Sequence, residues 1–325
     1  MHLDPKILSK SPSFVPTRNG FGDALLELGE TNPNIVVLTA DLAESTRTFD
    51  FGKKYPERFI ECGVAEQNMM GVAAGLALSG KIPFATSYAT FSPGRNWDQL
   101  RVSVCYSQSN VKVIGAHAGV SVGPDGATHQ ALEDIAITRV LPNLVIVVPA
   151  DSEETRKATH AIAKLVGPCY MRFAREKTPV ITTADTPFEI GKANILMEGT
   201  DVTIAACGPL VAEAIRAAVL LEEEGIHAEV INVHTIKPFD VDTLITSVKK
   251  TTRCVTVEEH QITGGLFGAV AETLARYFPA PVTPIGMPNR FGESGEPTEL
   301  LHAFGMTAEH LVAAVKKDNH KNFPR

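Results

Sequence analysis

Short β-branched runs alternate with helical patterns along the chain, and this alternation restricts the fold more than any other feature of the sequence. The helix-like segment 18–30 leads into an apolar run at 35–38, which is typical of a buried strand. A further helical pattern at 65–78 precedes a second apolar run at 111–114. This alternation is typical of α/β folds, in which nearly continuous apolar strands form a parallel sheet covered on both faces. We therefore predict a mostly parallel sheet between helices.

A connecting segment divides the chain into two predicted domains. Residues 176–200 carry prolines and a glycine among mixed polar residues, which is typical of a linker and not of a core element. Beyond this segment the alternation of strands and helices restarts. A chain of 325 residues is also longer than one hydrophobic core usually serves. We place the boundary near Gly191, so that 1–190 form the first domain and 191–325 a smaller second α/β domain.

Composition and charge exclude several classes of protein. The net charge is -7, without a Lys/Arg stripe, which argues against nucleic-acid binding by counterion release. The five cysteines are scattered and include no C-x-x-C pair, so we expect reduced cytoplasmic thiols and no zinc site. The start of the sequence has no apolar signal-peptide core, and no apolar run approaches membrane-spanning length. A cytoplasmic metabolic protein, with neither nucleic acid nor membrane as a partner, is the expectation.

The segment 62–71, C-G-V-A-E-Q-N-M-M-G, is the first that indicates chemistry. It places Glu66 behind a glycine turn, at the start of an apolar helix rich in small residues. A carboxylate in such a setting would be poorly hydrated and able to share a proton with a basic ring nitrogen. The alternative is an exposed glutamate in the first helical turn, which the helix dipole favours.

The loop 115–130 is the densest polar cluster of the sequence. It contains His117, Asp125 and His129 together with four glycines, and it directly follows a predicted buried strand. Side chains at the carboxyl end of such a strand can surround a polar ligand. A metal site would need a third and a fourth ligand, and no nearby cysteine or carboxylate pattern resembles a zinc or iron site. We therefore predict no metal ligands here.

The order of three motifs makes the sequence resemble the C-terminal half of transketolase. They are G-V-A-E-Q-N-M-M-G, then D-G-A-T-H-Q-A-L-E-D, then P-A-D-S-E-E-T. The resemblance covers nearly the whole chain and is closest to the smaller subunit of split transketolases, in which the two halves are separate proteins. It implies a pyrimidine-binding domain, followed by a transketolase C-terminal domain. It also implies transfer of a two-carbon ketol unit from a ketose (phosphate) to an aldose (phosphate), with thiamine diphosphate as cofactor.

The resemblance assigns the cofactor contacts to three residues. Glu66 falls on the family glutamate, which bonds the N1′ nitrogen of the aminopyrimidine so that the 4′ nitrogen can remove the proton from thiazolium C2. Phe91 is implied to pack on the pyrimidine ring. Trp97 is a second candidate for this pocket, with a plain core position as the alternative, because its spacing departs from that of large transketolases.

The resemblance also implies a set of catalytic and substrate-binding residues. His117 and His129 would contact hydroxyls or the carbonyl of the donor sugar, and Asp125 a donor hydroxyl. Guanidinium groups suit phosphate, although a surface ion pair is the common alternative for any one arginine. The positions that match the family's phosphate-binding region are Arg18, Asp41, Ser45 and Arg175.

A motif that these enzymes need is missing. They hold the diphosphate and its cation with G-D-G followed by Asn, and Gly123–Gly126 does not match this pattern because it lies inside the histidine loop. The resemblance therefore implies that Mg²⁺ (or Ca²⁺) is held mainly by a partner, the N-terminal transketolase subunit. A dimer or heterotetramer around a twofold axis is the expected assembly.

Three other interpretations stay open. The chain could be the β subunit of a 2-oxo acid dehydrogenase or a fragment like 1-deoxy-xylulose-5-phosphate synthase, although A-H-A-G-V and D-G-A-T-H-Q favour transketolase. It could also be a noncatalytic assembly or regulatory subunit, against which Glu66, Asp125 and His129 together count. Residues 257–260 and 264–268 of the second domain are implied to pack and to support assembly, and we assign them no chemistry.

Overall fold

Two large open sheets, each flanked by helices, and one two-stranded sheet form the fold. The computed structural model describes residues 3–9 and 11–319. The strands of the first part are β1 (Phe14–Pro16), β2 (Ile35–Thr39), β3 (Phe59–Glu61), β4 (Ile82–Tyr88), β5 (Lys112–Ala116), β6 (Val145–Val147), β7 (Cys169–Phe173) and β8 (Lys177–Pro179). Its helices are α1 (Thr17–Thr31), α2 (Phe49–Lys54), α3 (Glu66–Leu78), α4 (Trp97–Gln99, continued by a π-helix over Leu100–Tyr106), α5 (Asp134–Arg139) and α6 (Ser152–Lys164).

The second part repeats the alternation on a smaller scale. Its strands are β9 (Asn194–Met197), β10 (Val202–Ala206), β11 (Ala228–Asn232), β12 (Thr235–Lys237), β13 (Cys254–Gln261) and β14 (Val282–Met287). Its helices are α7 (Val211–Glu222), α8 (Val241–Thr251), α9 (Leu266–Tyr277), α10 (Pro297–Ala303) and α11 (Ala308–Asn319). Among the described residues, no helix is long and apolar enough to cross a membrane.

The first sheet has seven strands in the order β12-β6-β7-β5-β4-β2-β3. All of its pairs are parallel except the one between β12 and β6. Every residue of β2, β5 and β7 is buried, as strands of a doubly covered parallel sheet require. The mostly parallel α/β fold predicted from the apolar runs is thus confirmed.

The second sheet has the order β14-β13-β10-β11-β9, with β9 antiparallel at one edge. Two short strands of the predicted linker take part in sheets. β8 pairs with β1, and β9 joins the second sheet, so the expectation of a plain connection over 176–200 is corrected. In addition, β12 leaves the second part to pair with β6. Edge positions tolerate such short strands, with Pro179 at the end of β8.

Apolar cores lie on both faces of the first sheet. One is built on Phe21 of α1, whose ring lies 5.2 Å from that of Phe173 and 6.3 Å from that of Phe84. The other contains Met69 and Met70 of α3 and continues into the second sheet. Because the strands are parallel, β2, β4, β5 and β7 all end at one edge of the sheet, where α/β proteins usually bind ligands.

Asp151 connects α6 to the segment after β8. Its buried carboxylate caps the helix by accepting the backbone N–H of Glu154 at 2.8 Å. The other oxygen accepts the backbone N–H groups of Ile181 and Thr182, both at 2.6 Å. The hydroxyl of Thr182 donates to the first oxygen at 2.9 Å. One side chain therefore holds two elements that are thirty residues apart in sequence.

We expect Asp151→Asn to lower the free energy of unfolding by roughly 2–4 kcal/mol, because an amide NH₂ would face two backbone donors. Chemical denaturation monitored by circular dichroism measures this difference. Glu153→Gln, in the same helical turn but half-exposed, is the control and should change stability by less than about 0.5 kcal/mol. A loss below about 1 kcal/mol in Asp151→Asn would contradict this role.

Candidate active site

Glu66 begins α3 and is buried, with 3% of its side chain exposed. The turn before it requires Gly63, whose φ is +67°. The Nη1 group of Arg95 donates to both carboxylate oxygens at 3.0 Å, and the Ser87 hydroxyl lies 3.4 Å from Oε1. The amide of Asn96 donates to the Glu66 carbonyl at 3.3 Å. Glu66 is therefore a fixed, desolvated carboxylate and not an exposed first-turn residue.

Four flat side chains lie together next to this carboxylate. Tyr88, at the end of β4, has its ring centroid 5.9 Å from that of Phe91 and 4.1 Å from that of His117. His129 meets the Phe91 ring edge-on at 5.3 Å. The guanidinium of Arg95 lies 4.0 Å above the centre of the Phe91 ring and bonds Glu66 at the same time. The structure thus brings Phe91, His117 and His129 into one cluster, which Arg95 links to Glu66.

His117 has an unusual conformation and environment. It follows β5 directly with φ +58°, a strained value for a residue with a side chain, and it is 1% exposed. Burial lowers its pKa to about 3, with smaller contributions from Arg18, Arg175 and His129. Its Nδ1 has no hydrogen-bond partner within 3–9 and 11–319. His117 is therefore a neutral imidazole whose buried Nδ1 is unpaired among the described residues.

Positive charge accumulates beside the histidines. Arg18 in α1 donates through Nη1 to the carbonyl of Ser45 at 3.0 Å, and its buried Nε is unpaired as far as the described residues show. Burial lowers the pKa of Arg18, and the nearby Arg47 and Arg175 lower it further. Several guanidinium groups in one place favour an anionic ligand.

Arg175 and Asp125 meet at the outer side of the histidine loop. Arg175 donates to the carbonyl of Val122 at 2.9 Å, and its Nη1 lies 3.6 Å from Asp125 Oδ1. Both side chains are about one-third exposed, at 32% and 35%. Both groups are therefore in contact with solvent.

Glu61 fixes two turns of the site. Its Oε1 accepts the backbone N–H groups of Asp41 and Gly63, each at 2.8 Å. Asp41 is exposed and has φ +60°, and it opens the segment that carries Ser45. The turn before Glu66 and the turn with the predicted phosphate contacts are thus held by one carboxylate. The sequence analysis did not find Glu61, because its role depends on a contact between separate turns.

Trp97, the second candidate for the pyrimidine pocket, lies at the start of α4. Its indole N–H donates to the carbonyl of Ile137 at 2.7 Å, and its ring packs against the core beneath α3. Among the ring contacts of the described residues, none joins Trp97 to Phe91. Trp97 is thus partly buried against the core, as in its alternative, and its contact with the cofactor stays a prediction.

The sequence analysis also missed Tyr88 and Arg95. Tyr88 was recognisable in part, since it is an aromatic residue three positions before Phe91, which the resemblance had singled out. Arg95 gave no signal, because its contact with Glu66 spans 29 residues. For metal binding, no group of three or more His, Cys, Asp and Glu side chains is suitably placed within the part of the chain that the structure describes.

Comparison with known proteins identifies two family domains in this chain. The transketolase pyrimidine-binding domain matches residues 14–180, and the transketolase C-terminal domain matches residues 191–311. A transketolase C-terminal section from Methanocaldococcus jannaschii is 46% identical, over 94% of this chain and 96% of that protein. A 6-deoxy-6-sulfo-D-fructose transketolase subunit from a Clostridium species is 42% identical, over 94% and 95%.

A solved structure is similar over the same extent. It is a split-gene transketolase, described as an inactive β4 tetramer, with a TM-score of 0.86 and 46% identity. The match covers 94% of this chain and 98% of that one. Both family domains match this chain in sequence order, and its relatives are similar over nearly its whole length. The chain therefore belongs to the transketolase family.

Proposed function

We propose that this chain is the cofactor-activating subunit of a thiamine-diphosphate-dependent transketolase. Together with a second polypeptide it would transfer a two-carbon ketol unit from a ketose to an aldose. The observation that carries this proposal is the buried Glu66 carboxylate, which lies beside Phe91 and the two histidines at the carboxyl edge of the parallel sheet.

The residues fit the aminopyrimidine of the cofactor. A buried carboxylate can hold a proton at N1′, and the adjacent Phe91 ring offers a flat apolar surface for a heterocycle. Glu66 starts a helix, so its backbone position is fixed before any ligand arrives. When bound, thiamine diphosphate supplies the carbon that attacks the donor and carries the two-carbon unit. The role of Glu66 is to hold the N1′ proton that makes this carbon acidic.

The histidines and arginines fit a sugar donor that carries an anionic group. Neutral His117 would bind a hydroxyl or the carbonyl of the donor, and His129 lies beside the same rings. Arg18 and Arg175 would bind the anion, with Asp125 on a donor hydroxyl and Asp41 and Ser45 at the same edge. The Clostridium relative is named for a sulfonated sugar, so phosphate and sulfonate donors are both consistent with this positive charge.

The exposed surface of α3 has features that favour contact with a partner subunit. Gly71 and Gly75 are exposed in mid-helix, and a Cβ added at either would meet no described atom within 4 Å. Glycine costs helix stability, and no contact among the described residues accounts for it at these two sites. The exposed Val64 and Leu78, at 68% and 73%, flank the same helix. These features fit close approach by another chain, which we propose is the N-terminal subunit that carries the diphosphate and Mg²⁺ or Ca²⁺.

Reconstitution tests the proposal directly. The chain, a candidate N-terminal subunit, thiamine diphosphate and Mg²⁺ are mixed with a ketose phosphate or with pyruvate. Ketol transfer from the ketose phosphate supports the proposal, whereas decarboxylation of pyruvate would indicate a 2-oxo acid dehydrogenase or synthase. The chain alone should be inactive and should bind the cofactor weakly in calorimetric titration. Ketol transfer by the lone chain would refute the requirement for a partner.

In the reconstituted enzyme, Glu66→Gln should abolish exchange of the cofactor C2 proton, because a carboxamide cannot hold the N1′ proton. Exchange with deuterium is followed by NMR, and gel filtration verifies that assembly persists. Asp98→Asn, an exposed carboxylate near the site in sequence, is the control and should exchange normally. Exchange at the wild-type rate in Glu66→Gln would show that Glu66 has another role.

His117 should make the fold sensitive to acid. In the unfolded chain its imidazole takes up a proton near the ordinary pKa of 6.5, but in the fold only near 3. The contribution of His117 to the free energy of unfolding should therefore fall by about 1 kcal/mol for each pH unit below 6.5. Denaturation of wild type and His117→Gln between pH 4 and 7 measures this contribution. Identical pH dependence in both would contradict the burial of a neutral His117.

Substitution of the two glycines of α3 should separate folding from assembly. Gly71→Ala and Gly75→Ala should each stabilise the lone chain by about 0.5–1 kcal/mol, because alanine favours the helix. Both should weaken association with the N-terminal subunit, and Gly71→Leu more than Gly71→Ala. Denaturation measures stability, and sedimentation velocity measures assembly. Association that is independent of side-chain size would mean that the partner binds elsewhere.

A further inference from the structure

A glutamate of the second part reaches into the histidine loop of the first. Glu259 lies in β13 and is 5% exposed. Its Oε2 accepts the backbone N–H of Ser121 at 3.0 Å, and its Oε1 accepts the Ser121 hydroxyl at 3.1 Å. This carboxylate therefore binds the loop four residues after His117 and four residues before Asp125.

The loop backbone is shaped to admit this carboxylate. Gly119 has φ +89°, in the left-handed region, and a Cβ added there would lie 2.2 Å from Glu259 Oε2. A side chain at this position would be excluded both by conformation and by space. Backbone hydrogen bonds also hold this part of the loop. The N–H of Gly119 donates to the Ala131 carbonyl at 3.0 Å, and the N–H of Ala118 donates to the Phe173 carbonyl at 3.1 Å.

The backbone of Glu259 is itself held in place. Its carbonyl accepts a hydrogen bond from Nη2 of Arg172 at 2.9 Å. The Nη1 group of this buried arginine donates to the Asp134 carboxylate at 2.7 Å. Burial raises the pKa of Glu259, and its bonds to Ser121 and the charge of Arg172 oppose that rise. Glu259 is thus held both at its backbone carbonyl and at its carboxylate, which cannot reorient without breaking several hydrogen bonds.

Other contacts from the second part support the same loop. The side-chain amide of Gln130, next to His129, donates to the carbonyl of Val120 at 3.1 Å and to that of Glu293 at 2.9 Å. A Cβ added at Gly123 would lie 3.1 Å from the ring of Pro297 in α10. The loop is therefore enclosed between β13 and the segment that leads into α10.

We propose that Glu259 of the second domain is a positioning residue for ketol transfer, which fixes the Ser121 turn and thereby the orientation of His117, Asp125 and His129 toward the donor sugar. This inference rests on the proposed function for the identity of the substrate. It gives the second domain a part in the active site, beyond the packing and assembly that its sequence implied.

The adjacent glutamate of β13 offers a matched control. Glu258 is equally buried, at 1%, and its carboxylate also accepts two hydrogen bonds. Both come from the start of α9, from the N–H groups of Leu266 and Phe267, and not from the histidine loop. Glu258 and Glu259 thus lie in the same strand, are both buried and carry the same functional group. They differ in the segment whose hydrogen bonds their carboxylates accept.

The first test is NMR of the histidine imidazoles in the lone chain, with resonances assigned from His117→Gln and His129→Gln variants. In Glu259→Met, which keeps the volume but accepts no bond from Ser121, both imidazole resonances should shift. The pKa of His117 should rise from about 3 toward 6.5 as the loop opens to water. Glu259→Gln can still bond the N–H and the hydroxyl of Ser121, and should resemble wild type. Glu258→Met should leave both imidazoles unmoved.

The proposal would be overturned if the imidazole resonances of Glu259→Met matched those of wild type, or if Glu258→Met shifted them equally. Should Glu259→Met fail to fold, Ser121→Ala removes one of the two bonds from the loop side. Both imidazoles should then shift by a smaller amount, and unmoved resonances in this variant would also refute the proposal.

The second test uses the enzyme reconstituted with its partner subunit. Glu259→Met should lower kcat by about tenfold to a hundredfold, as expected for misplaced catalytic groups, with cofactor affinity unchanged. Glu259→Gln should restore most of this loss. If reconstituted wild type transfers no ketol unit, the proposed function fails, but the NMR experiment still decides whether Glu259 positions the loop.

Discussion

The buried ion pair between Arg172 and Asp134 is the interaction on which the arrangement of the site depends. Arg172, in β7, donates to Asp134 at the start of α5 at 2.7 Å, and the Tyr170 hydroxyl donates to the other carboxylate oxygen at 2.6 Å. The second Nη group of Arg172 reaches the backbone of Glu259 in the other sheet. A buried charge persists only where its hydrogen-bonding capacity is filled, and removal of one partner from such a pair costs about 3–5 kcal/mol. This pair therefore fixes the second sheet relative to the first and, through Glu259, the loop between them.

Desolvation affects the chemical groups of the site in different ways. His117 loses its charge on burial, because an imidazole can release its proton to water at little cost. Glu66 has a cation beside it, since the half-exposed Arg95 donates to both of its oxygens. The same edge of one sheet thus presents a neutral base and a paired carboxylate within a single cluster of rings. Under the proposed function both kinds of group are needed, because one would hold a proton on the cofactor while the other binds the sugar by hydrogen bonds.

Local patterns in the sequence predicted the elements, and the contacts between distant elements determined the rest. The apolar runs at 35–38 and 111–114 led directly to β2 and β5, because a strand buried on both faces leaves a continuous apolar signal. The position of Glu66 at the start of α3 followed in the same way from the glycine turn before it. Arg95 and Glu259 could not be predicted, because their partners are 29 and 138 residues away and no periodicity marks such contacts. Strand β12 was missed for the same reason, since its pairing with β6 depends on how the two sheets meet.

The helix α3 connects assembly with chemistry under the proposed function. It starts with Glu66, and one and a half to two and a half turns later it exposes Gly71 and Gly75 on a surface that the described residues leave uncovered. An α-helix is stiff over such a distance, so a subunit packed closely on the glycines also fixes the carboxylate at the helix start. The buried side of α3, with Met69 and Met70, resists displacement in the opposite direction. Glu66 would then be held between the core of its own chain and the surface of its partner. If the active site is divided between two polypeptides, as proposed, this arrangement would make activation of the cofactor depend on assembly.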